Sequence, residues 1–239
     1  MGTLYLVRHA QASFLEENYD KLSSLGEAQA RLLGEYWVRR NVVFDRACVG
    51  PCVRQKDTLK LVSDGYGKAG LKFPEPLVLP EFDEYQGEAV LKRSLPGLLE
   101  DDQKIRELYA AFQSSTGTAE RRATFQKLFE VVIGQWVRGE ISAQGVETWL
   151  EFCSRVNSGL SKFLSAGGRG ERIAIFTSGG PIAVAMQRAL ALSPEKALQA
   201  SWMSQNSSWS EFLYSADLFS LSAFNVHGHL DDPAMMTYR

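Results

Sequence analysis

"LYLVRHAQAS", residues 4–13, sets an apolar run directly against an arginine and a histidine. Leu4, Tyr5, Leu6 and Val7 read as a buried strand, and Arg8 and His9 arrive where that strand should end. The chain has only 3 histidines, so one placed beside an arginine at a strand tip asks for a reason. Alone, the pair also fits a solvated or hydrogen-bonded sheet edge, because short motifs match by chance. The other strand ends have to decide between the two.

Three further apolar runs have the length of strands: "FDRACVG" (44–50), "EPLVLP" (75–80) and "RIAIFTSGG" (172–180), the last running into a Gly-rich turn. Two strand-like runs near 208–214 and 217–224, joined by a short connection, predict an antiparallel hairpin at one edge, followed by a loose C-terminal tail. Between the strands the apolar period is helical. Leu25, Ala28, Leu32, Leu33 and Tyr36 share a face, with Ser23 or Ser24 as the cap. Pro51 suits the first turn of the next helix. Val146, Trp149, Leu150, Cys153, Val156, Leu160 and Phe163 line a long amphipathic helix, and 181–191 is helical again. "GGRGE" (167–171) ends a helix before a strand, the reverse order of a P-loop, and reads as a connection.

From about Glu88 to Gly145 no strand intervenes. Ile105, Leu108, Tyr109 and Phe112 repeat at helical spacing, as do Phe125, Leu128, Phe129, Val132, Ile133 and Trp136. The expectation is an α/β fold: a three-layer α/β/α sandwich on a mainly parallel sheet with an antiparallel edge, and a helical insertion. It is read as a single domain over residues 1–239 carrying a helical cap at about 88–145.

Composition sets limits on this picture. The 239 residues are 45% hydrophobic and 23% charged, enough for a large core that needs no disulfide or metal. A net charge of −2 gives no global case for nucleic acid or a membrane surface as partner, so any phosphate-handling charge must be local. Cys48, Cys52 and Cys153 are odd in number and form no CxxC pair, as expected of reduced thiols. With no bilayer-length apolar run and a strand starting within a few residues of Met1, the expected location is the cytoplasm.

In open α/β sheets ligands bind beyond the carboxyl ends of the strands. Here the first strand ends in Arg8-His9. The second ends in Gly50-Pro51 and starts a helix with Arg54 in its first turn. The fourth ends in Thr177-Ser178-Gly179-Gly180. If these strands are neighbours, two guanidiniums, an imidazole and helix N-termini meet in one crevice. Guanidinium forks match phosphoryl oxygens, and helix N-termini add oriented N–H donors. A neutral imidazole there can attack phosphorus, and the nearby positive charge lowers its pKa and keeps it neutral.

On these residues the chain resembles the histidine phosphatase superfamily, on its phosphoglycerate-mutase-like branch. Arg8-His9-Ala10 is similar to the family's R-H-G. Leu22, Ser23, Gly26, Gln29 and Ala30 resemble its L-[ST]-x-x-G-x-x-Q-A block. Gly50, Pro51, Arg54 and Thr58 resemble S-P-x-x-R-x-x-x-T, and Thr177 to Gly180 resembles [ST]-H-G-G. The resemblance implies that His9 is the phospho-accepting nucleophile and that Arg8 and Arg54 bind the phosphoryl group. It implies an acidic proton donor as well, for which "EYQGEAVL" (84–91) favours Glu84 while Glu81 competes. Gln11, Ser13, Ser178 and Gly179 are the candidate substrate-binding residues. No metal or cofactor is implied, and the partner is a small phosphomonoester or inorganic phosphate.

Two departures stand out. Ala10 replaces a glycine but removes no chemical group. Ser178 stands where the family has its second pocket histidine, and serine carries no charge at neutral pH. Loss of one donor from a transition-state clamp costs on the order of a hundredfold to a thousandfold in rate. Three readings follow: a hydrolase with reduced activity, a phosphomutase, or a phosphate-binding or regulatory module without turnover. His227 and His229, beside Asp231 and Asp232, are expected to be solvated.

Overall fold

The computed structural model describes residues 1–13, 20–166 and 170–238. In chain order the elements are β1 (Gly2–Arg8), α1 (Ser24–Arg39), β2 (Arg46–Val49), α2 (Val53–Lys68), β3 (Pro76–Val78), α3 (Gly87–Asp101), α4 (Gln103–Ser114) and α5 (Thr118–Val137). There follow α6 (Trp149–Ala166), β4 (Arg172–Thr177), α7 (Gly179–Leu190), α8 (Pro194–Met203), β5 (Trp209–Tyr214) and β6 (Phe219–Val226). The chain divides into two compact units, residues 1–84 with 155–239, and residues 85–154.

The first unit holds a six-stranded sheet in the order β3-β2-β4-β1-β5-β6. The first four strands in that order run parallel; β5 is antiparallel to β1, and β6 to β5. The interior strands explain the unbroken apolar runs. Leu4, Leu6 and Val7 of β1 and Ile173 to Phe176 of β4 are all fully buried, so both sheet faces are covered. Trp37, Phe44, Tyr66, Phe176 and Trp209 form the aromatic part of one core cluster, with Val62 packed among them. The α/β class and the antiparallel edge are as the sequence predicts.

Four local expectations are corrected. The buried seam of α1 is Gly26, Gln29, Ala30, Leu33, Gly34 and Trp37, one position out of phase with the predicted leucine face. Small residues carry it because α1 runs close to its neighbours: a Cβ at position 34 would lie 2.8 Å from the Val62 carbonyl oxygen. Pro51 precedes α2 rather than opening it, with Cys52 as N-cap. Leu150 is exposed, and Phe152 takes its place on the buried side of α6. The tail is not loose: Leu230 and His229 are buried, and backbone groups from Met235 to Tyr238 accept hydrogen bonds from the sheet unit. Helix α8 is capped by Ser193, with Pro194 in its first turn. The connection read at 167–171 lies partly outside the described residues.

The second unit is helical. Asp102 ends α3 and caps α4 by accepting from Ile105 N. On α5 the predicted Leu128, Phe129, Val132, Ile133 and Trp136 are buried and Phe125 partly so; on α4 Ile105 is buried, while Leu108, Tyr109 and Phe112 are only partly buried. Tyr85 stacks on Trp136 with ring centres 5.4 Å apart. Arg121 is exposed and lies over the Phe112 ring, as a solvated helix face allows.

Candidate functional site

Three strand ends lie side by side. β1 runs parallel to β4 up to the Arg8–Thr177 pair, and His9 N donates to Thr177 O at 2.8 Å. His9 and Ser178 are therefore the residues that directly follow the last paired positions of two adjacent strands. β2 flanks β4 on its other side, with Gly50 N donating to Phe176 O, and α2 then carries Arg54 back over the strand tips.

His9 is 5% exposed and its ring is fixed at both nitrogens. Nδ1 lies 2.8 Å from the Ala10 carbonyl oxygen, which can only accept, so Nδ1 holds the proton. The Nε2 lone pair then receives Arg54 Nε at 3.1 Å. Burial pushes the His9 pKa well below its ordinary value of 6.5, and the Arg54 and Arg8 charges push in the same direction. The ring is neutral, with its unprotonated nitrogen facing a guanidinium. Thr58 locks the strand exit to α2 by accepting from Ala10 N and donating to Arg54 O.

Both arginines meet protein oxygens. Arg54 Nη1 donates to Asp20 Oδ1 at 2.7 Å, and Val53 N donates to Asp20 Oδ2 at 2.9 Å. That carboxylate spans the guanidinium and the N-terminus of α2, a geometry suited to an anion. Arg8 donates to the carbonyl oxygens of Ser204 and Tyr238. Gln29 Nε2 binds the same tail at Met235 O and Thr237 Oγ1.

At the fourth strand end Ser178 is fully buried as the N-cap of α7, but its hydroxyl caps nothing. It accepts instead from Gln55 Nε2 at 2.8 Å. Gly180 N, also at that helix start, donates to Glu84 Oε1 and Oε2 at 3.2 and 3.3 Å. Glu84 thus lies at the turn carrying Ser178 and Gly179. Glu81 faces elsewhere: Lys162 binds it and lowers its pKa.

Gln11 and Ser13 are held to the start of α1. Gln11 Oε1 accepts from Ser23 Oγ, Gln11 N donates to Gln29 Oε1, and Ser13 Oγ donates to Leu22 O. Gly26 permits this approach, since a Cβ there would lie 2.0 Å from Gln11 O. His229 is corrected from solvated to buried, with Nε2 2.9 Å from Ser207 Oγ. Among the described residues no group of three or more His, Cys, Asp or Glu could hold a metal, and no helix is long and apolar enough to cross a membrane. Asp20 and Gln55 went unread in the sequence, where each looks like an ordinary solvated polar residue.

The family model for the histidine phosphatase superfamily (branch 1) matches residues 88–227. That stretch includes the Ser178 turn but not Arg8, His9 or Arg54. Among solved structures, a phosphoserine phosphatase mutant from Entamoeba histolytica in complex with phosphoserine is 16% identical, with TM-score 0.63, covering 96% of this chain and 100% of that one. Bacillus stearothermophilus YhfR is 15% identical, with TM-score 0.64 over 97% of this chain and 100% of that one. The alpha-ribazole phosphatase from Shigella flexneri is 17% identical, with TM-score 0.59 over 94% and 96%. Comparison with curated proteins returns no match.

Proposed function

The chain belongs to the histidine phosphatase superfamily, and from that premise we propose that it hydrolyses small phosphomonoesters through a phosphohistidine on His9. The observation that carries this reading is the fixed His9 ring: Nδ1–H held by Ala10 O, and Nε2 unprotonated beside Arg54. In the first step the Nε2 lone pair forms a bond to phosphorus and the ester P–O bond breaks. Glu84, in its acid form, gives its proton to the departing oxygen. In the second step water attacks the phosphohistidine, the Glu84 carboxylate takes the proton, and phosphate leaves with His9 neutral again. Arg8 and Arg54 supply the positive charge that offsets the transferring group. The phosphoserine and alpha-ribazole phosphatases among the structural neighbours support a small phosphomonoester as the substrate class.

A second reading, phosphate binding without turnover, rests on Ser178 standing in place of the second pocket histidine. Turnover of an aryl phosphate in the presence of chelator separates the two. The parent should hydrolyse it and carry acid-labile phosphate on His9, and His9→Ala should lose both. Activity that chelator abolishes and magnesium restores, or a His9→Ala variant at parental rate, would overturn the phosphohistidine reading.

A further inference from the structure

Gln55 and Ser178 are both fully buried and meet through the 2.8 Å bond from Nε2 to Oγ. The orientation of the Gln55 amide is dictated by the backbone around it. Oε1 accepts from Cys52 N, which can only donate, and Nε2 donates to Phe82 O, which can only accept. The NH2 group must therefore face Ser178, and the serine oxygen must accept. That leaves the Ser178 proton to be donated on another side. A serine at an N-cap ordinarily accepts from the helix it starts, and here that task falls to Glu84. Gly50 makes room for the arrangement, because a Cβ there would lie 2.2 Å from Gln55 Oε1 and 2.6 Å from Phe82 O.

We propose that Gln55 is a positioning residue that holds Ser178 as a hydrogen-bond donor to the phosphoryl group, with Gly50, Gln55 and Ser178 acting as one unit where relatives use a second histidine. The inference rests on the phosphohistidine reading above. Ser178 follows β4 directly as His9 follows β1, its neighbour in the sheet, and in this proposal its proton goes to an oxygen of the group attached to, or departing from, Nε2. Gln55 touches no substrate; it acts by fixing which way the hydroxyl points.

The test is a double-mutant cycle on aryl phosphate hydrolysis with Gln55→Met, Ser178→Ala and the pair, with thermal unfolding recorded for each. Each single substitution should lower kcat by about 10- to 100-fold with little change in KM, as expected for a bond to a charged group that strengthens in the transition state. The pair should lose no more than Ser178→Ala alone. Losses that multiply, or a Gln55→Met variant that melts earlier but turns over at the parental rate per folded molecule, would overturn the proposal. Failure of the underlying reading is visible separately, as turnover indifferent to His9→Ala. The same cycle is then read in vanadate affinity, where non-additive losses support the unit. Additive losses, or no vanadate binding, overturn it.

Discussion

Ser178→His would introduce an imidazole into a fully buried position where Gln55 Nε2 already lies 2.8 Å from the hydroxyl. Restoring the usual family residue alone therefore overpacks the site, at a cost of about 1–3 kcal/mol. We expect Ser178→His to melt below the parent without a gain in turnover. Adding Gln55→Ala should recover stability and raise turnover, because it clears the volume the ring needs. Thermal unfolding and aryl phosphate hydrolysis check both, and a single variant as stable as the parent would refute the steric argument. Arg8, His9, Arg54 and Ser178 were legible because each sits at a strand end or just beyond one, where an apolar run stops. Gln55 was not, since a polar residue directly after Arg54 looks solvated until the space left by Gly50 is seen. The competition between Glu84 and Glu81 was likewise open in the sequence. It turns on long-range partners, Gly180 N for one and Lys162 for the other.

Helix α1 shows what hydropathy misses at the scale of an element. Counting apolar residues finds a leucine face, whereas the buried seam runs through Gly26, Ala30 and Gly34 with Trp37 at its end. Small residues bring helix backbones together, and they score as weakly as polar ones in an apolar count. Gly34→Ala tests which effect wins. Alanine gains about 0.5–1 kcal/mol in helix propensity, but its methyl would lie 2.8 Å from Val62 O and 3.0 Å from Val62 Cα. Backbone cannot swing aside as a side chain can, and overpacking costs about 1–3 kcal/mol. A lower melting temperature is expected for Gly34→Ala, against a raised one for Gly67→Ala in α2, where a Cβ meets nothing within 4 Å. Equal shifts in the two variants would show that the helices do not depend on this close approach. The parallel strands were legible for the opposite reason: buried on both faces, they leave unbroken apolar runs.

The C-terminal tail joins distant parts of the first unit. Tyr238 O accepts from Arg8, Met235 O accepts from Gln29, and His229 meets Ser207, whose backbone N–H donates to His9 O. Polar composition made this tail read as loose, because its order comes from partners far away in sequence. Its histidine gives a prediction for the whole fold. Ser207 Oγ donates to Gln29 O, so it accepts from His229 Nε2–H, and the ring lies against Trp209 and Tyr36. Burial pushes its pKa from 6.5 down to about 3, with His227 adding to the shift. As pH falls below about 6.5 the unfolded chain takes up this proton while the folded chain does not. Stability from this group is therefore complete above that pH and declines by about 1.4 kcal/mol per pH unit toward 3. His9 contributes with the same sign, so the parent's total slope alone would not isolate His229. His229→Gln retains a donor for Ser207 but has no titrating group. Urea unfolding at pH 7.5 and pH 5 should show a smaller loss of stability in His229→Gln than in the parent. Equal losses would mean that His229 does not remain buried and neutral as the tail closes over the sheet.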